Sequence, residues 1–195
     1  VFATRRWGRY PSEDLVRFMA RRFANVPTKS RVRVLEIGCG PGANLWYLAR
    51  EGYQIAGIDG SPTAIAQAQE RLGSECLAEN VDLRAGDFST LPWGDASFDV
   101  VLDIEALSAN KLATIRSTLK EVHRCLKPGG VFFAKMFGPE TTGFGTGRKL
   151  EGSSFEQPED GPCAGQTVAH FFTEEEIRSL LADFAGVALE WTSRS

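Results

Sequence analysis

A glycine-rich stretch, residues 34–42, constrains the fold of this 195-residue chain more than any other. The apolar run over residues 31–37 predicts a buried parallel strand, and three glycines at alternate positions then predict a sharp turn. Residues 43–50 carry apolar side chains at helical spacing, and Gly52 is placed to end that helix. A strand, a glycine turn and a helix in this order bring backbone N–H groups and a helix N-terminus up to a ligand.

The alternation of strand and helix continues along the chain and predicts a doubly wound α/β fold. Further strands are predicted over 53–58, 81–85, 98–104, 131–137 and 187–191, and helices over 61–72, 112–126 and 173–184. Another helix begins after Ser12, which is predicted to cap it. We therefore expect a Rossmann-like, mostly parallel sheet with helices on both faces. A longer natural chain with a seventh strand is expected, because residues 187–191 would otherwise form an exposed apolar edge.

The composition is typical of one acidic globular domain. Apolar residues make up 43% of the chain and the net charge is −3, so no basic surface for nucleic acid is predicted. No apolar run is long enough for a membrane span and no signal peptide opens the chain, which predicts a cytoplasmic protein without a membrane partner. The four cysteines are not in Cys-x-x-Cys spacing, which favours reduced thiols over a zinc site.

Acidic residues follow the predicted strands at their carboxyl ends. Glu36, Asp59, Asp87 and Asp103 each lie at or near such an end. The carboxyl ends of parallel strands share one edge of the sheet, where ligands of such folds bind. These carboxyl groups are therefore expected to converge, with Asp59 able to accept both hydroxyls of a ribose.

Two kinds of cofactor suit such an edge, and the first is a dinucleotide. Gly38, Gly40 and Ala43 satisfy the relaxed Gly-x-Gly-x-x-Gly/Ala pattern of dinucleotide-binding folds. Glu36 argues against this ligand, because a carboxylate so close to the turn would repel a pyrophosphate. The chain also has no room for a substrate domain of the size usual in dehydrogenases. An NAD(P)-binding oxidoreductase is therefore kept as the alternative enzyme.

The second cofactor, S-adenosylmethionine (SAM), is supported by a resemblance that extends over several motifs. Residues 34–42 resemble the first motif of class I SAM-dependent methyltransferases of the small-molecule type. Residues 59–61 are similar to the ribose-binding motif of that family, and residues 86–88 to its adenine-binding turn. Residues 98–101 and 126–130 match its fourth strand and the turn before its fifth. Because the motifs come in family order, the resemblance implies the class I fold and SAM as the cofactor.

The resemblance also implies roles for individual residues. Glu36 and the glycine turn would face the positively charged methionyl part of SAM. Asp87 and the Phe88 N–H would bind the adenine, which Ile104 and Leu107 would enclose. The expected cofactor-binding residues are Tyr10, Glu36, Gly38, Cys39, Gly40, Asn44, Asp59, Gly60, Ser61, Asp87, Phe88, Asp103, Ile104 and Leu107.

The methyl acceptor is defined less sharply by the sequence. A glycine-rich segment, residues 138–170, leaves from the ligand edge and is predicted to be a lid or substrate loop. His170 and Glu105 are the candidate catalytic bases. The Asn/Asp-Pro-Pro-Tyr/Phe signature of amino methyltransferases is missing after the fourth strand, which favours a small-molecule acceptor. Methyl transfer from a sulfonium is an in-line displacement, so no metal is expected.

A single domain over residues 1–195 is expected, divided into functional parts. Residues 1–27 would form a cap-helix region. Its helix is predicted to be a packing element; in the alternative it covers the site, with Trp7 and Tyr10 near the ligand. Residues 31–137 would form the cofactor-binding core, and residues 171–195 the last helix and strand. A third class of function, a non-catalytic SAM-binding scaffold, is kept open because no base is obvious from the sequence.

Overall fold

A computed structural model describes residues 8–193, and its centre is a five-stranded parallel sheet. The strands are β1 (Arg33–Ile37), β2 (Gln54–Asp59), β3 (Val81–Ala85), β4 (Phe98–Ile104) and β5 (Leu126–Lys135). They lie in the order β3-β2-β1-β4-β5, and all four pairings are parallel. Between β1 and β4 the order of strands reverses, and ligands of open α/β sheets bind at such a switch point. The predicted doubly wound fold is confirmed.

Within residues 8–193, five α-helices cover the two faces of the sheet. They are α1 (Glu13–Arg22), α2 (Ala43–Arg50), α3 (Pro62–Ser74), α4 (Leu112–Cys125) and α5 (Glu174–Leu180). Helices α1, α2 and α3 pack on one face, where they share a core with Val34 and Leu102. Helices α4 and α5 pack on the other, against Leu35 and Val101. The alternation of side chains along each strand thus produces two apolar layers, as expected for a sheet buried on both faces.

The predicted sixth strand over residues 187–191 is wrong. Within the described chain, residues 187–193 belong to no strand, and α5 ends at Leu180 rather than at residue 184. Trp191 lies against Gly138, where a Cβ would come within 2.6 Å of the Trp191 ring. No backbone hydrogen bond to another described residue is formed by residues 187–193, so the apolar residues that predicted a strand have no neighbouring strand to pair with.

The segment after β5 folds into a small antiparallel sheet of its own. Its strands are β6 (Arg148–Lys149), β7 (Ser154–Glu156) and β8 (Ala169–His170). Phe155, Cys163 and Phe171 are buried in a separate core beneath it. The sequence predicted a loop here because each strand is only two or three residues long, too short for a visible period. We call residues 138–172 the insertion.

Two glycine turns of the insertion pack back to back. A Cβ at Gly143 would collide with the carbonyl oxygen of Asp160, and a Cβ at Gly161 would collide with that of Thr142. Both glycines also have positive φ, +94° and +73°, which side chains disfavour. The glycine content that suggested flexibility therefore serves close backbone packing.

Candidate cofactor site

Two buried carboxyl groups lie on neighbouring strands at the carboxyl edge of the sheet. Glu36 on β1 is 2% exposed, Asp103 on β4 is fully buried, and Asp103 pairs in register with Ile37. Asn44 Nδ2 donates to Glu36 Oε1 at 2.6 Å, and the Leu107 N–H donates to Asp103 Oδ1 at 3.0 Å. The second oxygen of each group, Glu36 Oε2 and Asp103 Oδ2, is buried without a hydrogen-bond partner among the described residues.

Burial perturbs the acidity of both groups strongly. It raises the pKa of Glu36 from 4.5 to about 8, and the charges of Asp103 and Asp59 add to this effect while the Asn44 hydrogen bond opposes it. Burial likewise raises the pKa of Asp103 to about 8, against the hydrogen bond from Leu107. A buried carboxylate needs either a proton or a partner cation. The carboxylate oxygens of this site therefore fit a ligand with positive charge.

The glycine turn between β1 and α2 adopts the conformation that its residues predict. Gly38, Gly40 and Gly42 all have positive φ, at +64°, +52° and +79°. At Gly38 a Cβ would also collide with the Cβ of Ala106. The backbone turns here with the close approach to the residues after β4 that only glycine allows.

Cys39 lies inside this turn as a small buried residue. It is 6% exposed, and burial raises the pKa of its thiol well above the ordinary value. Its N–H donates to the Ile58 carbonyl at 3.1 Å. The Cys39 N–H therefore joins the turn to β2 and is already engaged within the protein.

Asp59 at the end of β2 is held by backbone N–H groups from both sides. Its Oδ2 accepts from Gly40 at 2.9 Å and its Oδ1 from Ser61 at 2.8 Å. Ser61 in turn caps α3 through its side chain, which accepts from the Ala64 N–H. Each carboxylate oxygen has a second lone pair, so Asp59 keeps capacity for ribose hydroxyls. Gly60 faces open space, with nothing within 4 Å of a Cβ placed there.

The turn after β3 approaches the glycine turn from the next strand. Gly86 donates its N–H to the Asp59 carbonyl at 3.0 Å, and the Phe88 ring lies 3.8 Å from a Cβ placed at Gly38. Asp87 is exposed, and its Oδ1 accepts from the Ser89 N–H at 2.8 Å. The ribose and adenine motifs therefore meet beside the first glycine.

Ile104 and Leu107, the two residues expected to enclose an adenine, pack in different apolar layers. Leu107 is fully buried in the core layer beneath α4, whereas Ile104 packs in the layer of α1, α2 and α3. The short 3₁₀ turn Leu107–Ala109 after β4 carries Leu107 across to the far layer. Sequence distance alone does not reveal this change of face.

The start of α1 contacts the cofactor site through its backbone. The Ser12 N–H donates to Asn44 Oδ1 at 2.9 Å, while Asn44 holds Glu36 through its amide nitrogen. The prediction that the Ser12 side chain caps α1 is wrong, since that side chain makes no capping hydrogen bond. Tyr10, one of the expected cofactor-binding residues, is 82% exposed. Trp7, also predicted near the ligand, lies outside the described residues.

Glu105 lies just beyond β4 in a strained backbone conformation. Its φ is +68°, a left-handed value that is costly for a residue with a side chain. Its N–H donates to the Lys135 carbonyl at 2.8 Å, and its Oε1 lies 2.8 Å from Lys135 Nζ. Lys135 Nζ is also 3.8 Å from Asp14 Oδ2 at the start of α1. Lys135 is not among the site residues predicted from the sequence, because its only indication there is its position near the carboxyl end of a predicted strand.

His170 is buried at the junction between the insertion and α5. Its Nδ1 is 2.7 Å from Ser154 Oγ, and its Nε2 is 2.8 Å from Glu176 Oε2. The ring also contacts Phe172 edge-on at 4.5 Å between centroids. Both ring nitrogens are engaged inside the protein, so neither faces a substrate in this structure. Thr173 caps α5, since Thr173 Oγ1 accepts from the Glu176 N–H.

Two cavities of about 290 Å³ each lie away from the buried acids. One opens at the amino ends of the strands, beside Arg33, Gln54 and Val81. The other lies beside α5, between Ser153 and Glu176. The candidate site is therefore assigned from the buried acids and not from cavity volume. Burial is costly for their two oxygens without hydrogen-bond partners unless a ligand binds to them.

Residues 8–193 contain no group of three or more His, Cys, Asp or Glu side chains arranged to hold a metal ion. No helix in that range has the length and apolar character that a bilayer crossing needs.

A glycine turn and two buried acids, each with one carboxylate oxygen that lacks a hydrogen-bond partner among the described residues, lie at the switch point of the sheet, which is where doubly wound α/β proteins bind their cofactors. A family model described as a methyltransferase domain matches residues 34–130. A SAM-dependent methyltransferase structure from Methanosarcina mazei is 30% identical, with a TM-score of 0.67 and 77% of each chain covered. The chain belongs to the family of SAM-dependent methyltransferases.

Curated relatives share the cofactor core rather than their full length. An uncharacterized methyltransferase of Synechocystis sp. is 33% identical over 116 residues, which cover 60% of this chain and 52% of that protein. Norajmaline N-methyltransferase of Rauvolfia serpentina is 35% identical over 114 residues, which cover 56% of this chain and 38% of that protein. The chain thus spans about half or less of the length of these two relatives.

Proposed function

We propose that this protein binds SAM at the carboxyl edge of its sheet and catalyses transfer of the methyl group to a small molecule. The observation that carries the proposal is the pair of buried, unpartnered oxygens on Glu36 and Asp103. The methionyl end of SAM bears an ammonium and a sulfonium, so it offers the positive charge that these oxygens lack. When bound, SAM supplies an electrophilic methyl group for direct displacement.

The ribose and the adenine of SAM would contact residues at the ends of other strands. Asp59 would accept the ribose hydroxyls, with the backbone of Gly38 and Gly40 beside it. Asp87 and the Phe88 N–H would bind the adenine. A dinucleotide suits the site poorly, because its pyrophosphate would add negative charge next to Glu36.

A small acceptor is supported by charge and by one relative. The net charge of −3 disfavours a nucleic-acid substrate, and norajmaline N-methyltransferase is named for a small organic acceptor. Residues 138–170 supply the acceptor side of the site, as a packed wall rather than a flexible loop. A cytoplasmic location is part of this proposal.

Of the two candidate bases, we assign the proton-accepting role to Glu105. Its carboxylate is half-buried at the edge of the sheet, two residues beyond Asp103. His170 we assign to structure, because Ser154 and Glu176 occupy its ring nitrogens.

Calorimetry with S-adenosylhomocysteine tests the cofactor. We expect binding by the wild type and a loss of roughly 10- to 100-fold in Asp59→Asn, since a charge-assisted pair of hydrogen bonds becomes a single neutral one. Asp99→Asn is the matched control, because Asp99 also accepts a backbone N–H, from Arg33, but at the amino end of β4. No binding by the wild type, or equal losses in both variants, contradicts the proposal.

Turnover separates the remaining alternatives. Release of S-adenosylhomocysteine from SAM over a metabolite library identifies an enzyme, whereas cofactor binding without turnover over the whole library indicates a scaffold. Enhancement of NADH fluorescence on mixing would instead favour an oxidoreductase.

A further inference from the structure

The strand ends that surround the cofactor site carry one basic side chain. Residues 37–42, 59–63, 85–89, 103–107 and 135–138 follow or end the five strands, and Lys135 is the only Lys or Arg in these stretches. It is the last residue of β5 and pairs in register with Ile104. An ammonium group is thus present on the acceptor side of a site that is otherwise acidic.

Lys135 has donor capacity beyond its partners in the structure. An ammonium carries three N–H donors. One serves Glu105 Oε1 at 2.8 Å, while Asp14 Oδ2, at 3.8 Å, is too distant for a hydrogen bond. The side chain is 29% exposed, so a ligand can reach it.

Glu105 is aimed at Lys135 by its backbone. The positive φ and the N–H bond to the Lys135 carbonyl turn the chain back over the end of β5. Oε1 is used in the ion pair, which leaves Oε2 to accept another hydrogen. A base and a cation therefore stand together, two residues from the acid that faces the methionyl group.

Three titratable groups from different elements lie near the pair. Asp103 is two residues before Glu105 in the chain, Asp14 Oδ2 at the start of α1 is 3.8 Å from Lys135 Nζ, and Cys163 belongs to the core of the insertion. After burial, the charge of Glu105 adds to the raised pKa of Cys163 and of Asp103.

We propose that Glu105 and Lys135 together receive a hydroxyl group, so that the methyl acceptor is an acidic alcohol such as a phenol or an enol. This inference rests on the proposed methyl-transfer function and specifies the class of acceptor. A hydroxyl beside the pair can donate to Glu105 Oε2 while its oxygen accepts from Lys135 Nζ.

The proton and the electrons of the transfer are all accounted for by the hydroxyl, Glu105, Lys135 and SAM. The hydroxyl proton passes to the Glu105 carboxylate, and Lys135 stabilises the oxyanion. An oxygen lone pair forms the new C–O bond as the C–S bond breaks, and the electrons of that bond stay on sulfur as a neutral thioether. An amine acceptor would instead gain positive charge next to Lys135, which the ammonium disfavours.

Matched phenols and anilines with the same ring substituents test this proposal, with release of S-adenosylhomocysteine as the readout. We expect the wild type to methylate phenols in preference to anilines. Lys135→Met should lower kcat/KM for phenols about 100-fold, as loss of one oxyanion donor does in other enzymes. Lys127→Met is the control, because Lys127 pairs with Asp99 at the same 2.8 Å but at the amino edge.

The effect of Glu105→Gln on kcat/KM should depend on the acidity of the acceptor. A phenol that is neutral at the assay pH needs the base and should lose roughly 100-fold or more, whereas 4-nitrophenol, which ionises near neutral pH, should lose little. Equal losses for both acceptors would overturn the role of Glu105 as the base.

Binding of S-adenosylhomocysteine is measured for every variant. Wild-type cofactor binding with transfer to anilines only, transfer to no phenol, or full activity of Lys135→Met would overturn the inference and leave the cofactor proposal intact. Absence of cofactor binding would instead refute the proposed function itself.

Discussion

Glu36 and Asp103 lie on neighbouring parallel strands, and each buries one carboxylate oxygen that has no hydrogen-bond partner among the described residues. Two such groups in one protein interior are costly unless they hold protons or meet a cation. Both acids lie at the switch point of the sheet, where a bound cationic cofactor would neutralise them and so offset the cost of burying them.

Stability of the ligand-free protein should fall as the pH rises. Burial raises the pKa of Glu36 and of Asp103 to about 8, so the folded state keeps protons that the unfolded chain has released. The resulting stabilisation is full below the ordinary carboxyl pKa and is lost as the pH rises through about 8. Thermal unfolding between about pH 5 and pH 9 should show this slope, and Glu36→Gln should reduce it. Glu79→Gln, at an exposed acid, should leave it unchanged.

Cofactor binding should be linked to the same protons. A cation that pairs with Glu36 and Asp103 requires their ionised forms, so S-adenosylhomocysteine should displace protons and bind more tightly at higher pH, by about tenfold per pH unit for each proton released. Calorimetry in two buffers of different ionisation enthalpy counts these protons. Binding without proton release would mean that the acids do not face the ligand.

Asn44 should couple the start of α1 to the cofactor site. Asn44→Ala removes the partner of both the Ser12 N–H and Glu36 Oε1, so we expect roughly tenfold weaker binding of S-adenosylhomocysteine. Hydrogen exchange over residues 13–22 should also become faster. Glu13→Gln, which breaks only an exposed ion pair with Arg17, is the control for α1. Unchanged exchange in Asn44→Ala would show that α1 docks independently of the site.

Gly38→Ala should damage the protein more than Gly52→Ala. Both glycines have positive φ, but a Cβ collides with Ala106 only at Gly38, whereas Gly52 has nothing within 4 Å. We expect a loss of about 2–5 kcal/mol in the free energy of unfolding at Gly38, from strain and overpacking together, and about 1–2 kcal/mol at Gly52 from strain alone. Urea unfolding gives both values, and equal losses would mean that the turn relaxes away from Ala106.

His170→Ala should destabilise the insertion without abolishing cofactor binding. The substitution leaves the buried Ser154 hydroxyl without its partner and removes the contact to Glu176, for an expected cost of about 2–4 kcal/mol. His123→Ala is the control, because His123 is exposed and contacts the Phe184 ring at its edge. A stable His170→Ala protein that binds cofactor but has lost methyl transfer would return His170 to the role of base.

Elements with a strong local signal were predicted closely. Helix α2, β3 and β4 have the predicted bounds, because a helix after a glycine turn and a buried apolar strand are both defined by their own residues. Strand β5 starts five residues earlier than predicted, since Pro128 and Gly129 are accommodated beside a register shift in β4. Pairing with a neighbour overrode the local preference of these two residues for a turn.

The sequence by itself determined the doubly wound fold, the methyltransferase family and the acids at the strand ends, because strand period and motif order are local properties of the chain. Only the tertiary structure decided which groups are buried without partners, which layer Leu107 joins and which partners His170 has. It also revealed the pair of Glu105 and Lys135, whose residues are thirty positions apart in the chain. These features depend on register between strands and on contacts across the insertion, and no local pattern encodes such distances.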